Sequence, residues 1–119
     1  MSANAAVEIE GVRVPLDHYI DGRRVASETT FEVRSPIDWD SWKLAEVANG
    51  GQAEVDAAVQ AARNAFPAWA SLGPDKRHAH LTRLADAIDQ AVPDLAKVEC
   101  VDNGSLYEAM HLRVLPRAA

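Results

Sequence analysis

The sequence predicts an α+β fold, with an N-terminal β-hairpin and short strands followed by three to four α-helices. Two observations carry this. Asp21-Gly22 joins two short runs in His18–Val25, and such a pair suits the positive backbone φ angles of a two-residue hairpin turn. After Gln52 the apolar period changes from two to between three and four, with Val55, Val59, Ala62, Phe66 and Trp69 on one helical face. Three regions follow: a tail and first strand (1–17), a β-hairpin region (18–51) and a helical region (52–119).

Along the chain, 1–6 is small and polar and predicts a frayed tail. Val7–Val14 alternates like one half-buried strand, with Gly11 as a bulge or bend and Pro15 ending the run. Thr30–Arg34 predicts a strand with Phe31 and Val33 on one face, closed by Ser35-Pro36. The run 37–43 (IDWDSWK) predicts a turn, with Trp39 and Trp42 covering the neighbouring core. Leu44–Val47 is a short strand, stopped by Asn49-Gly50-Gly51.

The first helix spans about 53–66, and Pro67 is expected to break or kink it. Pro74 fits the first position of a second helix, with Asp75 at its positive end. Leu81, Leu84, Ala85, Ile88 and Val92 hold helical spacing through it. Pro93 predicts a fresh helical start, with Leu95 and Val98 inward, ending at Asp102-Asn103-Gly104. Ser105 and Glu108 have capping-box spacing for a last helix.

Composition narrows the function. The 119 residues suit one small domain, and 12 basic against 18 acidic residues give a net charge of -6. Adjacent basic pairs occur at Arg23-Arg24 and Lys76-Arg77, without interleaved aromatics, so a nucleic-acid partner is not expected. No window approaches the roughly 18 apolar residues of a membrane span. The single cysteine, Cys100, leaves no internal disulfide and suits a reducing compartment, so the expectation is a soluble, cytoplasmic protein.

Six segments in order resemble the N-terminal part of the NAD(P)-dependent aldehyde dehydrogenase superfamily. They are YIDGRRV (19–25), FEVRSP (31–36), LAEV (44–47), EVDAAVQAARNAFPAWASL (54–72), RLADAIDQ (83–90) and VECVDNGSLYEA (98–109). The resemblance covers about residues 18–119. It departs at Ser35-Pro36, where relatives often have Asn-Pro, and at Ser105-Leu106, where they often have Lys-Pro. It implies the leading part of a cofactor-binding domain, without that domain's Rossmann-type sheet.

In the family a cysteine thiolate attacks the aldehyde, hydride passes to the nicotinamide, and a glutamate activates water. An asparagine side chain and a backbone amide stabilise the oxyanion. These groups and the phosphate-contacting segments lie downstream of the part resembled. The resemblance therefore assigns no catalytic, cofactor-binding or metal residue here, and NAD or NADP belongs to the full-length relatives. Cys100 does not align with the nucleophile, and its helical setting beside Val98 and Val101 predicts a buried, inert thiol. His78 and His80 are two apart and diverge on a helix, which is not metal-pair spacing. His18 and His111 have no obvious partner. Some relatives place a monovalent cation near the acidic residue matching Asp102, but a helix-end turn residue is the simpler reading. The charged helix faces (Glu54, Asp56 and Arg63; Asp75, Lys76, Arg77, Arg83 and Asp86) read as solvated surface.

The expectation is thus a truncated, by itself inactive, aldehyde dehydrogenase N-terminal part. Its rivals are a noncatalytic module that self-associates or docks onto a separate dehydrogenase chain, and an independent helical protein of unrelated function.

Overall fold

Three consecutive antiparallel hairpins come first. The computed structural model describes residues 5–119; most of the expected N-terminal tail lies outside them. Strands β1 (Ala6–Ile9) and β2 (Val12–Pro15) pair with Ile9 opposite Val12. Strands β3 (His18–Ile20) and β4 (Arg23–Val25) pair with Ile20 opposite Arg23. Strands β5 (Thr29–Arg34) and β6 (Lys43–Asn49) form the longest pair, with an irregularity between Val33 and Arg34.

The Asp21-Gly22 turn has φ of 52° and 75°, as the sequence implies. The single strand expected over 7–14 is instead a second hairpin. Glu10 and Gly11 take φ of 49° and 77°, so Gly11 supplies a turn rather than a bulge or bend. β6 runs two residues beyond the expected Leu44–Val47. Its last carbonyl, on Asn49, accepts hydrogen bonds from Ser27 Oγ (2.6 Å) and Thr29 Oγ1 (3.3 Å).

Two long helices follow, α1 (Gln52–Ser71) and α2 (Pro74–Asn103). Both continue through a proline: Pro67 lies inside α1 without breaking it, and Pro93 lies inside α2 instead of giving a fresh helical start. The carbonyls that lose a donor belong to Arg63 and Asp89, both exposed, where water can serve them. Around Pro93 the burial of Val92 and Ala96 adds packing that favours the continuous helix. Gly104 ends α2 at φ 75°, its N–H donating to Cys100 O (2.9 Å).

The last segment is helical in three pitches: α3 (Tyr107–Ala109), a π turn (Met110–Val114) and a 3-10 turn (Leu115–Arg117). Ser105 does not cap it. Leu106 holds the cap position, and the Ser105 N–H donates to Asn103 Oδ1 (2.8 Å). The described residues are mixed α/β, with short strands and three α-helices.

The buried apolar residues fall in two groups, Leu44, Ala45 and Ala48 on β6 and Val92, Ala96 and Val101 on the second half of α2, where α2 also meets β2 and the last helical segment. Leu95 is exposed, and the inward place expected for it is taken by Ala96. Trp39 does not cover the core; it is 64% exposed, while Arg34 Nη1 donates to its carbonyl (2.9 Å). Trp42 is half-buried. Ser35 is fully buried and ties the layers together: its Oγ donates to Val101 O (2.6 Å) and accepts from Ile37 N (3.3 Å). No helix among the described residues is long and apolar enough to cross a membrane.

Candidate functional site

The chemistry-bearing side chains are scattered. Cys100 is half-buried near the end of α2, not sealed in the core as its neighbours suggest. His78 and His80 are exposed, and His80 meets Trp69 with ring centroids 5.9 Å apart. His111 stacks on Tyr107 at 5.3 Å, a partner that their i, i+4 spacing could have revealed. Among the described residues no three His, Cys, Asp or Glu side chains converge to hold a metal ion.

Asp102 and Val33 line one hollow of about 270 Å³, otherwise walled largely by apolar side chains such as Ile9, Val14, Leu44 and Val98. One carboxylate in an apolar wall does not make a coordination shell for a hard cation, which takes several oxygens. The hollow of about 510 Å³ beside Leu106, Tyr107, Glu108, Leu112 and Arg113 is lined by no nucleophile with an adjacent base.

Sequence reasoning missed the buried polar side chains Asp17, Ser27 and Ser35, because each type is usually exposed. Asp17 Oδ2 accepts from Ala5 N (3.1 Å), and its carbonyl accepts from Arg24 Nη1 (3.3 Å). Arg24 also lies 5.0 Å over the Tyr19 ring. Asp17 and Arg24 join the hairpins to each other, and Arg24 also lines an open hollow of about 520 Å³ with Ile20, Arg23, Ala53, Glu54 and Ala57.

At the entry to α1, His18 packs on Gly50 so closely that a Cβ there would sit 3.1 Å from the imidazole. Glu54 Oε2 accepts from Gly51 N (2.7 Å). That backbone hydrogen bond, then one from Glu54's own N–H and the nearby His18, hold the Glu54 carboxyl below its ordinary range. Glu32 is likewise lowered, first by its hydrogen bond to Arg34 and then by Lys43. Lys43 is raised in return, by Glu46 first and Glu32 second. Glu32, Arg34, Lys43 and Glu46 form a surface network across β5 and β6.

What remains as a site is a surface. α1 buries none of its residues: Val55, Val59, Phe66 and Trp69 stay exposed along it, Phe66 at 65%. Leu81 and Leu84 are likewise exposed on the first half of α2. A row of exposed apolar side chains along one helix face, as on α1, marks an interaction face.

Comparison with known proteins fits this geometry. The aldehyde dehydrogenase family profile matches residues 24–118. The 5-carboxymethyl-2-hydroxymuconate semialdehyde dehydrogenase of Escherichia coli is 38% identical over 104 residues, covering 87% of this chain and 22% of that protein. The 2-aminomuconic semialdehyde dehydrogenase of Mus musculus is 34% identical over 103 residues, covering 87% of this chain and 21% of that protein. Among solved structures, PnpE in complex with nicotinamide adenine dinucleotide superposes with a TM-score of 0.79 at 37% identity, over 85% of this chain and 21% of that one. The gamma-glutamyl-gamma-aminobutyraldehyde dehydrogenase of Burkholderia cenocepacia J2315 superposes at 0.80 and 38% identity, over 94% of this chain and 22% of that one. The chain thus spans about a fifth of the length of the relatives it matches. With the ordered segments, the fold and the profile in agreement, the chain belongs to the aldehyde dehydrogenase family.

Proposed function

We propose that these 119 residues serve as the leading structural part of an NAD(P)-dependent aldehyde dehydrogenase. The parent reaction converts an aldehyde, water and NAD(P)+ to a carboxylate, NAD(P)H and two protons. In this reading the segment itself is noncatalytic. Its hairpins and the second half of α2 form a base, and the apolar faces of α1 and α2 pack against the cofactor domain.

The observation that carries this is the uncovered surface. A folded monomer of this mass exposes about 6,300 Å², whereas this chain exposes 8336 Å². Its radius of gyration is 16.9 Å, against about 13.5 Å for a compact domain of this length. The excess is roughly 2,000 Å², on the scale that obligate partners cover. A reducing, cytoplasmic setting suits the reading, with no nucleic-acid or membrane partner.

The test has two arms. Purified chain is incubated with NAD+ or NADP+ and a panel of aldehydes, and nicotinamide reduction is followed by absorbance. Carboxylated semialdehydes head the panel because relatives are named for them, and NAD+ comes first because PnpE was solved with it. The chain alone is expected to give no turnover. A full-length chimera, with this chain in place of the matching fifth of the Escherichia coli relative, is expected to turn over. Activity of the chain alone, or a folded but inactive chimera, would refute the proposal.

A further inference from the structure

The same surface divides the chain in two, and the division is uneven in a way that family membership does not require. Every residue from 52 to 91 is exposed or half-buried, whereas Val92, Ala96 and Val101, further along the same helix, are buried. Packed helices stand 8–10 Å apart along their length. α1 and α2 lack that close approach and meet near the turn that joins them. There Trp69 faces His80, and Arg77 Nη1 donates to Leu72 O (2.9 Å). At its other end α1 leans on β3, where His18 meets Gly50. Between these two ends Val59 and Phe66 of its apolar stripe are exposed.

A 20-residue helix held only at its ends is marginal in water, because helices in proteins draw their stability chiefly from a packed apolar face. Pro67 removes one of its internal hydrogen bonds as well.

We infer that residues 52–91, an arm made of α1 and the first half of α2, fold in step with the surface that covers them. The occupant is the rest of an aldehyde dehydrogenase fold. β5, β6 and residues 92–103 keep their structure without it. This rests on the functional reading above. The occupant is argued from the solved relatives, which superpose over 85–94% of this chain and so have the counterpart of this region within a much longer chain. The occupant's matching surface is apolar, sized for Val55, Val59, Phe66, Trp69, Leu81 and Leu84. The opposite face of α1, with Glu54, Asp56, Gln60 and Arg63, stays in water.

Hydrogen exchange read by mass spectrometry tests this on the complete 119-residue chain, with its oligomeric state followed by sedimentation. In the monomer, amides of 53–91 should be at least about 100-fold less protected than those of β6 and 93–103, as expected of separate cooperative units. In the full-length chimera the two regions should become comparable. Phe66→Asp should leave β6 unchanged in the chain alone and lower the protection of the arm in the chimera at least about tenfold. Equal protection of arm and base in the monomer, or uniformly fast exchange of both, would overturn the inference. Arm protection that appears only as the chain dimerises would name a second copy as occupant and overturn the choice made here. An active chimera whose arm exchanges as freely as in the chain alone would overturn it too. An inactive chimera counts against the functional reading instead, and the monomer's exchange pattern still decides this one.

Discussion

Replacing Ser35 by alanine tests the joint on which the base depends. Ser35 is fully buried, and its hydroxyl donates to the Val101 carbonyl at 2.6 Å while accepting from Ile37 N at 3.3 Å. Val101 lies in the last turn of α2, where carbonyls have run out of helical donors, and its residue is 5% exposed. Ser35→Ala leaves that oxygen buried without this donor, a loss of about 2 kcal/mol within the usual range for a stranded polar group. The assay must see the base and not the arm, so the readout is amide exchange in β6, at Ala45 and Val47. At about 1.4 kcal/mol per tenfold, exchange there should quicken about 30-fold. Ser71→Ala removes an exposed hydroxyl bond to Ala68 O at the end of α1 and serves as the control, with no change in β6. A Ser35→Ala chain whose β6 amides exchange within about twofold of the parent would refute the claim that this bond joins the two layers.

Two further predictions use the same measurement. Gly104→Ala forces a side chain into the left-handed region at φ 75° and brings a Cβ to 3.3 Å from Pro36 Cγ. It should cost about 1–2 kcal/mol in the protection of 93–103. Gly73→Ala, at φ -64° with open space around it, should stay within about 0.5 kcal/mol of the parent. Acidity provides the third. Glu32, Glu46 and Glu54 all titrate below their ordinary value of 4.5 in the folded chain. Their contribution is present above that value and is lost as pH falls through the lowered folded values. Lys43 is raised above 10.5, so its share is intact below that value and lost as pH climbs through the folded one. A pH series of denaturation midpoints should therefore drop on the acid side below about pH 4.5, less steeply in 1 M salt. Glu54→Gln should remove the part of that drop that belongs to the first turn of α1; an unchanged acid limb there would exclude the Gly51 contact as its source.

Legibility in the sequence followed the locality of the cause. Asp21-Gly22 announced its hairpin because two adjacent residues fix the turn. Glu10-Gly11 makes the same turn, yet glutamate at φ 49° has no sequence signal, and the alternation over Val7–Val14 runs through it. The prolines misled for a related reason. A proline inside a helix loses a hydrogen bond and crowds the carbonyl four residues back, and what offsets this lies in the surroundings: the exposure of Arg63 and Asp89 is a property of the fold, not of the local sequence. The capping pair Ser105 and Glu108 gave way to Asn103, whose side chain took the Ser105 N–H first. The apolar face of α1 was fully legible as a face. Whether anything lies against it was not, since periodicity reports which residues want cover and is silent on what provides it.

The bond from Ser35 to Val101 joins residues 66 apart in sequence. Between β6 and Val92 the polypeptide leaves the base and comes back, so in polymer terms α1 and the first half of α2 are one closed loop. The entropy of closing a loop grows only with the logarithm of its length, about 0.6 kcal/mol for each doubling. The base therefore hardly registers how long the excursion is. Residues 50–91 can be reshaped to suit whatever they lie against while the clasp at Ser35 stays the same.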